Sequence, residues 1–335
     1  MQNPLVSILI PFKNVEDFFV ECINSIIAQT YTNWELIAVN DHSTDNSASI
    51  LSAYCKKDDR LKLMNNDGNG IINALQLAYT NSSGEYITRM DADDIMTPDK
   101  LMVLQQSLQK NGTGNLAIGQ VHYFSQKGIN DGYARYEKWL NRLTDNGSNF
   151  SEIYKECVIP SPCWMVHKSD FDACDAFNPN RYPEDYDLAF RFYKNKLRCL
   201  PCNQVLHHWR DYSTRTSRTS EHYAQNYFLD IKLHYFLALD YDSEKCIVVW
   251  GAGNKGKEIA KKLIERNYNF IWVCDNPKKI GKEIYGQKLQ HFSVLESVKN
   301  PQCIITVANE SEQESIKKEL KVLLLTPSKD YFFFC

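Results

Sequence analysis

The 335-residue sequence predicts an α/β protein, in which a domain with a parallel or mixed sheet precedes a smaller α/β domain. Three observations support this fold class. Strand-like and helix-like patterns alternate over residues 5–91, and a second alternation begins near residue 245, after a break at 236–245. The hydrophobic fraction of 43% and the charged fraction of 24% are ordinary for a globular protein. We therefore expect domains at residues 1–240 and 245–335.

The first domain is predicted from four apolar strand patterns with helical patterns between them. Continuous apolar runs are typical of parallel strands buried on both faces. The strand patterns are LVSILIPF (5–12), WELIAVND (34–41), RLKLMNN (60–66) and EYITRMD (85–91). The helical patterns cover 15–30, 43–57 and 70–82, and Ser43 and Thr44 are candidate caps of the second. This order predicts an open parallel sheet with helices on both faces.

The composition argues against several kinds of partner and setting. The net charge of −3 provides no basic field for nucleic acid. No stretch approaches the roughly 20 apolar residues of a membrane helix, and the apolar run at 5–10 is short for a signal peptide. Without a signal peptide, the eleven cysteines are expected to be reduced core residues. Cys199 and Cys202 have no second pair nearby to complete a zinc site.

Acidic and polar segments follow three of the predicted strands. The segment PFKN follows the first strand, NDHSTD follows the second, and DADD, which contains Asp91, Asp93 and Asp94, follows the fourth. Ligands bind beyond the carboxyl ends of the strands in open α/β sheets, so these segments are expected at one rim. The DADD segment has two interpretations, an exposed acidic turn before a helix or a site for Mg²⁺ or Mn²⁺ that also binds a diphosphate.

Together, VSILIPFKN, WELIAVNDHSTDNS, GEYITRMDADD and YPEDYDLAFRF resemble glycosyltransferase family 2 of the GT-A fold, over residues 4–235. The resemblance implies transfer of a sugar from a nucleoside-diphosphate donor, with inversion. It implies donor contacts from PFKN, in which Pro11 and Phe12 lie near the base and ribose and Asn14 completes the segment. Asp41 would bond the uracil ring. Asp91 would face the ribose and the metal, and Asp93 would ligate the metal.

Two further segments complete the site that the resemblance implies. Of the pair Glu184 and Asp185, Asp185 matches the general base, and Glu184 would orient the acceptor or support the loop. Acids in the first turn of a helix also have a purely structural explanation, because they favour the helix dipole. Arg210 is a candidate ligand for the donor diphosphate, and His208 is a candidate for the metal or the diphosphate. A solvated basic loop is the alternative for Arg215 and Arg218.

The second domain carries a dinucleotide-binding pattern, with Gly251, Gly253 and Gly256 after an apolar strand and Asp275 at the end of the next strand. It resembles the Rossmann-like nucleotide-sugar-binding domain that precedes some sugar acyltransferases. It is expected to bind a nucleotide, a nucleotide sugar or NAD, or to serve only as a scaffold. Two other functions therefore stay open, a nucleotide-sugar oxidoreductase and a nucleotide-binding regulatory protein.

The resemblance also implies a setting. The donor would be a UDP-hexose, and the acceptor a glycan or a lipid-linked sugar in surface polysaccharide or lipopolysaccharide biosynthesis. The protein would be cytoplasmic, with peripheral association on the inner face of the membrane. Oxygen ligands suit both Mn²⁺ and Mg²⁺, so the choice of metal stays open.

Overall fold

The computed structural model describes residues 3–215 and 228–335. These residues form two compact units. The first unit comprises residues 3–150 and 157–215, and the second comprises residues 151–156 and 228–335.

The first unit is built on an eight-stranded mixed sheet. Its strands are β1 (Val6–Phe12), β2 (Trp34–Asn40), β3 (Leu61–Asn65), β4 (Tyr86–Arg89), β5 (Ile95–Met96), β6 (Asn115–Phe124), β7 (Trp164–His167) and β8 (Arg198–Arg210). Their order across the sheet is β3-β2-β1-β4-β7-β6-β8-β5. The strands β3, β2, β1 and β4 are parallel, as the sequence predicts. All seven residues of β2 are buried, which explains its unbroken apolar pattern.

The other half of the sheet makes it a mixed sheet, one of the two forms that the sequence predicts. Strand β7 runs antiparallel to both β4 and β6, and β6 runs parallel to β8. The two residues of β5 pair antiparallel with His207 and His208 of β8. Because β5 directly follows the DADD segment, this pairing brings the end of β8 beside the three aspartates.

Seven α-helices accompany this sheet in the part of the chain that the structure describes. They are α1 (Glu16–Ile27), α2 (Ser47–Cys55), α3 (Gly70–Thr80), α4 (Lys100–Asn111), α5 (Asp131–Asp145), α6 (Lys168–Ala173) and α7 (Glu184–Lys194). The apolar residues of α1 recur at helical spacing, and Phe19, Ile23 and Ile26 are fully buried in the core. Helix α7 begins at Glu184, so both acids of the predicted pair lie in its first turn.

The second unit has its own six-stranded sheet. Its strands are β9 (Cys246–Trp250), β10 (Phe270–Cys274), β11 (Glu283–Ile284), β12 (Gln287–His291), β13 (Pro301–Ile305) and β14 (Tyr331–Phe333), in the order β11-β12-β10-β9-β13-β14. All neighbours are parallel except β11 and β12. Its helices are α8 (Leu229–Tyr235), α9 (Asn254–Glu265) and α10 (Glu310–Val322). The strand–turn–helix that carries the glycine pattern is therefore β9–α9.

Two further expectations concern membranes and cysteines. No helix among the described residues is both long and apolar enough to cross a membrane. All eleven cysteines are unpaired thiols, and Cys199 and Cys202 are buried in and beside the core of the first unit.

Candidate active site

Asp94, the last acid of DADD, is an internal anchor of the segment. Its side chain is fully buried. Its Oδ2 lies 3.0 Å from Nε2 of His207, and its Oδ1 accepts a hydrogen bond of 2.7 Å from the backbone N–H of Arg210. Burial raises the pKa of Asp94 to about 7, although Arg215 opposes the shift. Both oxygens are thus engaged by β8, which makes Asp94 a poor candidate for a metal ligand.

A buried polar chain continues from Asp94 into the core. Nδ1 of His207 lies 3.2 Å from Nζ of Lys100, and that amine donates to the carbonyl oxygen of Pro162 at 2.5 Å. Lys100 and His207 are fully buried, and burial lowers the pKa of both. A neutral imidazole that accepts from Lys100 at Nδ1 and donates from Nε2 to Asp94 satisfies every contact. The chain ties DADD, α4 and the segment before β7 together.

Asp91 and Asp93 differ from Asp94, because each keeps one oxygen open. Oδ1 of Asp91 accepts from Nε and Nη2 of Arg89, at 3.2 and 3.0 Å. Oδ2 of Asp93 accepts from the hydroxyl of Tyr212 at 2.9 Å. Within residues 3–215 and 228–335, Oδ2 of Asp91 and Oδ1 of Asp93 accept no hydrogen bond. The two carboxylates are therefore oriented, and each presents a free oxygen.

The electrostatics of the two carboxylates also differ. Burial raises the pKa of Asp93 to about 7, and the neighbouring charges of Asp94 and Asp91 add to the shift. Burial opposes ionisation of Asp91 too, but Arg89 and Arg215 outweigh it and lower its pKa. A cation bound between them would relieve the repulsion that Asp93 experiences.

The donor set suits a hard cation that is completed by a ligand. Among the described residues, no group of three or more His, Cys, Asp or Glu side chains could hold a metal ion. Mg²⁺ and Mn²⁺ commonly take one or two carboxylates and fill their remaining positions with water and substrate phosphates. Asp91 and Asp93 fit that pattern, because together they offer two open carboxylate oxygens.

Arg89 joins the acidic segment to helix α7, and the sequence analysis did not find it. Its Nη1 donates to Oε1 of Glu184 at 2.8 Å, while the same guanidinium holds Asp91. Arg89 is only 5% exposed, so this is a buried bridge between two carboxylates. The available signal was an arginine at the end of an otherwise apolar strand, two residues before the first acid.

Asp185 lies beside this bridge with a different environment. Its Oδ1 accepts from the backbone N–H of Tyr186 at 2.8 Å, as an acid in the first turn of a helix does. Burial raises its pKa to about 7, and the charge of Glu184 adds to the shift, while Arg89 opposes it. Asp185 is thus a carboxylate that takes up a proton near neutral pH.

A small pocket lies against Asp185. Its lining includes Arg89, Ser161, Trp164 and Leu188. The hydroxyl of Ser161 is buried and has no hydrogen-bond partner among the described residues. A buried hydroxyl without a partner is costly unless a water or a ligand satisfies it. The wall of this pocket therefore offers a polar contact beside Asp185.

The segments after β1 and β2 meet at the predicted rim. Oδ1 of Asp41 accepts from Nδ2 of Asn66 at 2.7 Å and from the backbone N–H of Gly70 at 3.0 Å. Oδ1 of Asn14 accepts from the backbone N–H of Thr44 at 2.8 Å, which joins the two segments. Asp41 and Asn14 therefore help to shape this rim through bonds within the protein.

Pro11 and Phe12 end β1 at the same rim. Pro11 is half-buried, whereas Phe12 is only 3% exposed and packs against Phe19, with ring centroids 4.7 Å apart. The ring of Phe12 thus belongs to the core, and its backbone is the part that lies at the rim. Its carbonyl oxygen accepts from the backbone N–H of Asp41 at 2.8 Å.

Arg210 and His208 occupy different surroundings from those expected of diphosphate and metal ligands. Nε of Arg210 donates to the backbone oxygen of Asp93 at 2.7 Å, and its Nη2 donates to Glu21 at 2.5 Å. Arg210 therefore holds the backbone of the DADD segment at Asp93. His208 alternates with the buried His207 along β8 and contacts His122 on the other face, with ring centroids 6.0 Å apart. The structure does not bring His208 together with Asp91 and Asp93.

Of the two basic residues predicted after β8, the structure describes Arg215 but not Arg218. The guanidinium of Arg215 lies 5.8 Å from the ring of Trp209, and its charge acts on all three acids of DADD. Arg215 is half-buried beside the acidic segment, which favours a role at this site over a fully solvated loop. Arg218 lies outside the described residues.

The glycine pattern of the second unit has a structural explanation at two positions. Gly251 has φ +121°, which only glycine adopts readily, and a Cβ on Gly256 would lie 2.1 Å from the carbonyl oxygen of Gly251. Gly253 precedes α9 and has open space where a Cβ would be. Asp275 follows β10 and is exposed. These four residues lie at the expected positions of a nucleotide-binding turn, and Gly251 and Gly256 are also required by the packing.

Comparison with known protein families gives a match over residues 7–174 to the model described as glycosyl transferase family 2. An uncharacterized glycosyltransferase of Haemophilus influenzae is 31% identical over 234 residues, which cover 66% of this chain and 70% of the relative. The glycosyltransferase GlyG of Streptococcus pneumoniae serotype 4 is 33% identical over 225 residues, which cover 65% of this chain and 74% of the relative.

Comparison with solved structures identifies similar folds. Residues 1–349 of Staphylococcus aureus TarS in complex with UDP-GlcNAc align with a TM-score of 0.54 and 16% identity, over 78% of this chain and 72% of that chain. The mannosyltransferase PcManGT of Pyrobaculum calidifontis in complex with GDP-Man and Mn²⁺ aligns with a TM-score of 0.50 and 16% identity, over 71% and 64%. At this identity, the likeness concerns the fold.

Proposed function

Since this chain belongs to glycosyl transferase family 2 and is a glycosyltransferase, we propose that it transfers a sugar from a UDP donor to a hydroxyl of a glycan or lipid-linked acceptor, with a divalent metal and with inversion. The donor is a UDP-hexose in this proposal, and the metal is Mn²⁺ or Mg²⁺. The carrying observation is that Asp91 and Asp93 each present a carboxylate oxygen that accepts no hydrogen bond from the described residues, and that the charge of Asp91 acts on a third carboxylate, Asp185.

On the donor side, Asp91 and Asp93 would hold Mn²⁺ or Mg²⁺ through their open oxygens. The ion supplies positive charge that stabilises the diphosphate as it leaves. Arg89 and Tyr212 orient the two carboxylates, and the rim formed by Asn14 and Asp41 lies where the nucleotide is expected. TarS binds UDP and UDP-GlcNAc, and PcManGT binds GDP-Man and Mn²⁺, which supports a nucleotide sugar and a divalent ion here.

On the acceptor side, Asp185 acts as the general base. The acceptor oxygen attacks the anomeric carbon, the bond from that carbon to the diphosphate breaks, and the hydroxyl proton passes to Asp185. A pKa of about 7 suits a base that works near neutral pH. The unpartnered hydroxyl of Ser161 lies in the small pocket beside that base, which has room for about one water, so Ser161 would act on the acceptor through a water. Glu184 is held by Arg89 and serves to position the start of α7.

The second domain is proposed to be accessory to transfer. The relatives reported above are glycosyltransferases, which favours transfer over the oxidoreductase alternative. Gly251, Gly253, Gly256 and Asp275 keep open the binding of a nucleotide or nucleotide sugar by this domain. Participation in surface polysaccharide or lipopolysaccharide biosynthesis, with peripheral contact to the membrane that carries the acceptor, follows from the resemblance.

Calorimetric titration with UDP, GDP and NAD, each with Mn²⁺ or with EDTA, tests the donor half of the proposal. We expect UDP to bind in Mn²⁺ and to lose most of its affinity in EDTA. Asp93→Asn should weaken UDP binding in Mn²⁺ at least tenfold, because the variant loses the charged ligand, whereas Asp59→Asn alters an exposed acid and should not. UDP binding of equal strength in EDTA, or tight binding of NAD alone, would contradict the proposal.

A further inference from the structure

Building on the proposed metal and diphosphate site, we infer that Tyr212 is a positioning residue that fixes the Asp93 carboxylate so that Oδ1 faces the cation. Tyr212 is not proposed to contact the sugar or the metal. It acts on the metal through Asp93, by holding the other carboxylate oxygen, Oδ2, at 2.9 Å.

The geometry around Tyr212 restrains both partners of this hydrogen bond. The ring of Tyr212 packs against Phe18, with centroids 4.6 Å apart. The guanidinium of Arg210 also lies over Phe18, at 4.8 Å, and donates to the backbone oxygen of Asp93 at 2.7 Å. Arg210, the last residue of β8, thus holds the backbone of Asp93, and Tyr212, two residues later, holds its side chain.

Restraint is needed because Asp93 stands in an unfavourable field. The carboxylates of Asp94 and Asp91 repel it, although the charge of Arg215 attracts it. A short carboxylate side chain under that repulsion would rotate toward water if nothing held it. The hydroxyl of Tyr212 is a suitable donor, because a phenol keeps its proton at neutral pH.

The two oriented carboxylates are held by chemically different donors. The guanidinium of Arg89 holds Asp91, and its positive charge offsets much of the negative charge of that carboxylate. Asp93 is held by a neutral phenol, which orients the carboxylate without neutralising it. Groups that orient metal ligands in this way commonly affect metal affinity by roughly 10- to 100-fold.

The experiment compares Tyr212→Phe with Tyr54→Phe. Both variants lose one hydroxyl that donates a hydrogen bond, since Tyr54 donates to Asn24 at 3.0 Å between α1 and α2. The affinity for Mn²⁺ in the presence of UDP is measured from the paramagnetic resonance signal of free Mn²⁺, and thermal unfolding is recorded in EDTA. A purely structural hydroxyl would change the unfolding temperature, but it would leave the affinity of the folded protein for Mn²⁺ unchanged.

We expect Tyr212→Phe to weaken Mn²⁺ binding by roughly 10-fold or more, and Tyr54→Phe to leave it unchanged, with similar small changes in unfolding temperature. A loss of affinity below about fivefold in Tyr212→Phe, or an equal loss in both variants, would overturn the role of Tyr212 and leave the proposed function intact. Failure of the unaltered protein to bind Mn²⁺ with UDP would overturn the metal site, and with it the inference.

Discussion

Asp185 combines two properties that the proposed reaction requires of one residue: a carboxylate oxygen that accepts no hydrogen bond from the described residues, and a pKa near neutrality. Its Oδ1 is held by a backbone N–H, and burial together with Glu184 raises its pKa to about 7. Glu184, its neighbour in sequence, is held by Arg89 instead. Two adjacent acids therefore have different partners, an arginine for Glu184 and a backbone N–H for Asp185.

Asp185→Asn should reduce turnover by roughly 10²- to 10⁴-fold, the usual contribution of a general base. The amide cannot accept the proton of the acceptor hydroxyl, but it keeps the size of the side chain. Turnover is measured as release of UDP from the UDP-sugar that the unaltered enzyme consumes, and donor affinity by calorimetry. Donor affinity should be nearly unchanged, and Asp59→Asn is the control. Full turnover in Asp185→Asn would move the base to another residue.

The same residue predicts the pH dependence of the unaltered enzyme. Because the pKa of Asp185 is raised to about 7, its protonated form persists up to neutral pH, and a protonated carboxyl cannot act as a base. We expect kcat/KM to fall tenfold per pH unit below about 7 and to level off above it. The profile is recorded between pH 5.5 and 9 at saturating metal. A flat profile over this range would argue against Asp185 as the base.

Sequence reasoning at this scale found residues whose chemistry is evident from their type. Asp91, Asp93, Glu184 and Asp185 are acids at the ends of elements, where a pattern can identify them. Arg89 is different, because its importance lies in binding both Asp91 and Glu184, and Glu184 is 95 positions from Arg89 in the sequence. Such a contact depends on pairing across the sheet, which no local pattern specifies.

At the scale of elements, strand β8 organises the acidic segment by its two faces. Side chains alternate along a strand, so His207 points into the core toward Asp94 and Lys100, and His208 lies on the other face beside His122. The buried face of β8 therefore contributes His207 to a series of hydrogen-bonded side chains, Asp94, His207 and Lys100, whereas His208 on the other face does not belong to it. Removal of one member of such a chain leaves uncompensated buried groups.

His207→Ala should lower the free energy of unfolding by about 3–5 kcal/mol, because it leaves the buried Asp94 and Lys100 without the imidazole that they share. His208→Ala is the matched control on the same strand, and it should cost about 1 kcal/mol or less because that side chain is half-buried. Urea denaturation followed by tryptophan fluorescence measures both. Equal losses in the two variants would show that the chain from Lys100 to Asp94 contributes little.

The predicted elements show where local pattern suffices and where it fails. The first four parallel strands and their helices were predicted, because continuous apolar runs and helical periodicity are local signals. The helix expected from Ser43 begins instead at Ser47, because the backbone N–H groups of Ser43 and Thr44 bind side chains of Asn40 and Asn14. The antiparallel β7 was missed, since the direction of pairing is decided by distant strands.

At the scale of the whole molecule, the proposal assigns donor and metal binding to the first unit alone. All the carboxylates in the proposed site lie within residues 3–150 and 157–215. The second unit has its own sheet and its own core around Val248, Trp250 and Ile305. A change that damages only the second core should therefore leave the affinity for metal and UDP unchanged.

Gly256→Ala is such a change, because the added Cβ would lie 2.1 Å from the carbonyl oxygen of Gly251, a backbone atom that cannot move freely. Gly253→Ala is its matched control three residues earlier, where a Cβ meets open space. Calorimetric unfolding of the intact chain should show a transition at lower temperature in Gly256→Ala only, by several degrees, as expected for the loss of about 1–3 kcal/mol on overpacking.

The UDP and Mn²⁺ affinities of Gly256→Ala and Gly253→Ala then test whether donor binding is confined to the first unit. If Gly256→Ala binds UDP and Mn²⁺ as the unaltered protein does, below the temperature of its first transition, the site around Asp91 and Asp93 is self-sufficient. If its affinity falls while that of Gly253→Ala does not, donor binding requires an intact second unit, although the metal site itself is unaltered. If Gly253→Ala alone changes the affinity, the glycine turn before α9 takes part in binding, because this substitution leaves the packing of that turn undisturbed.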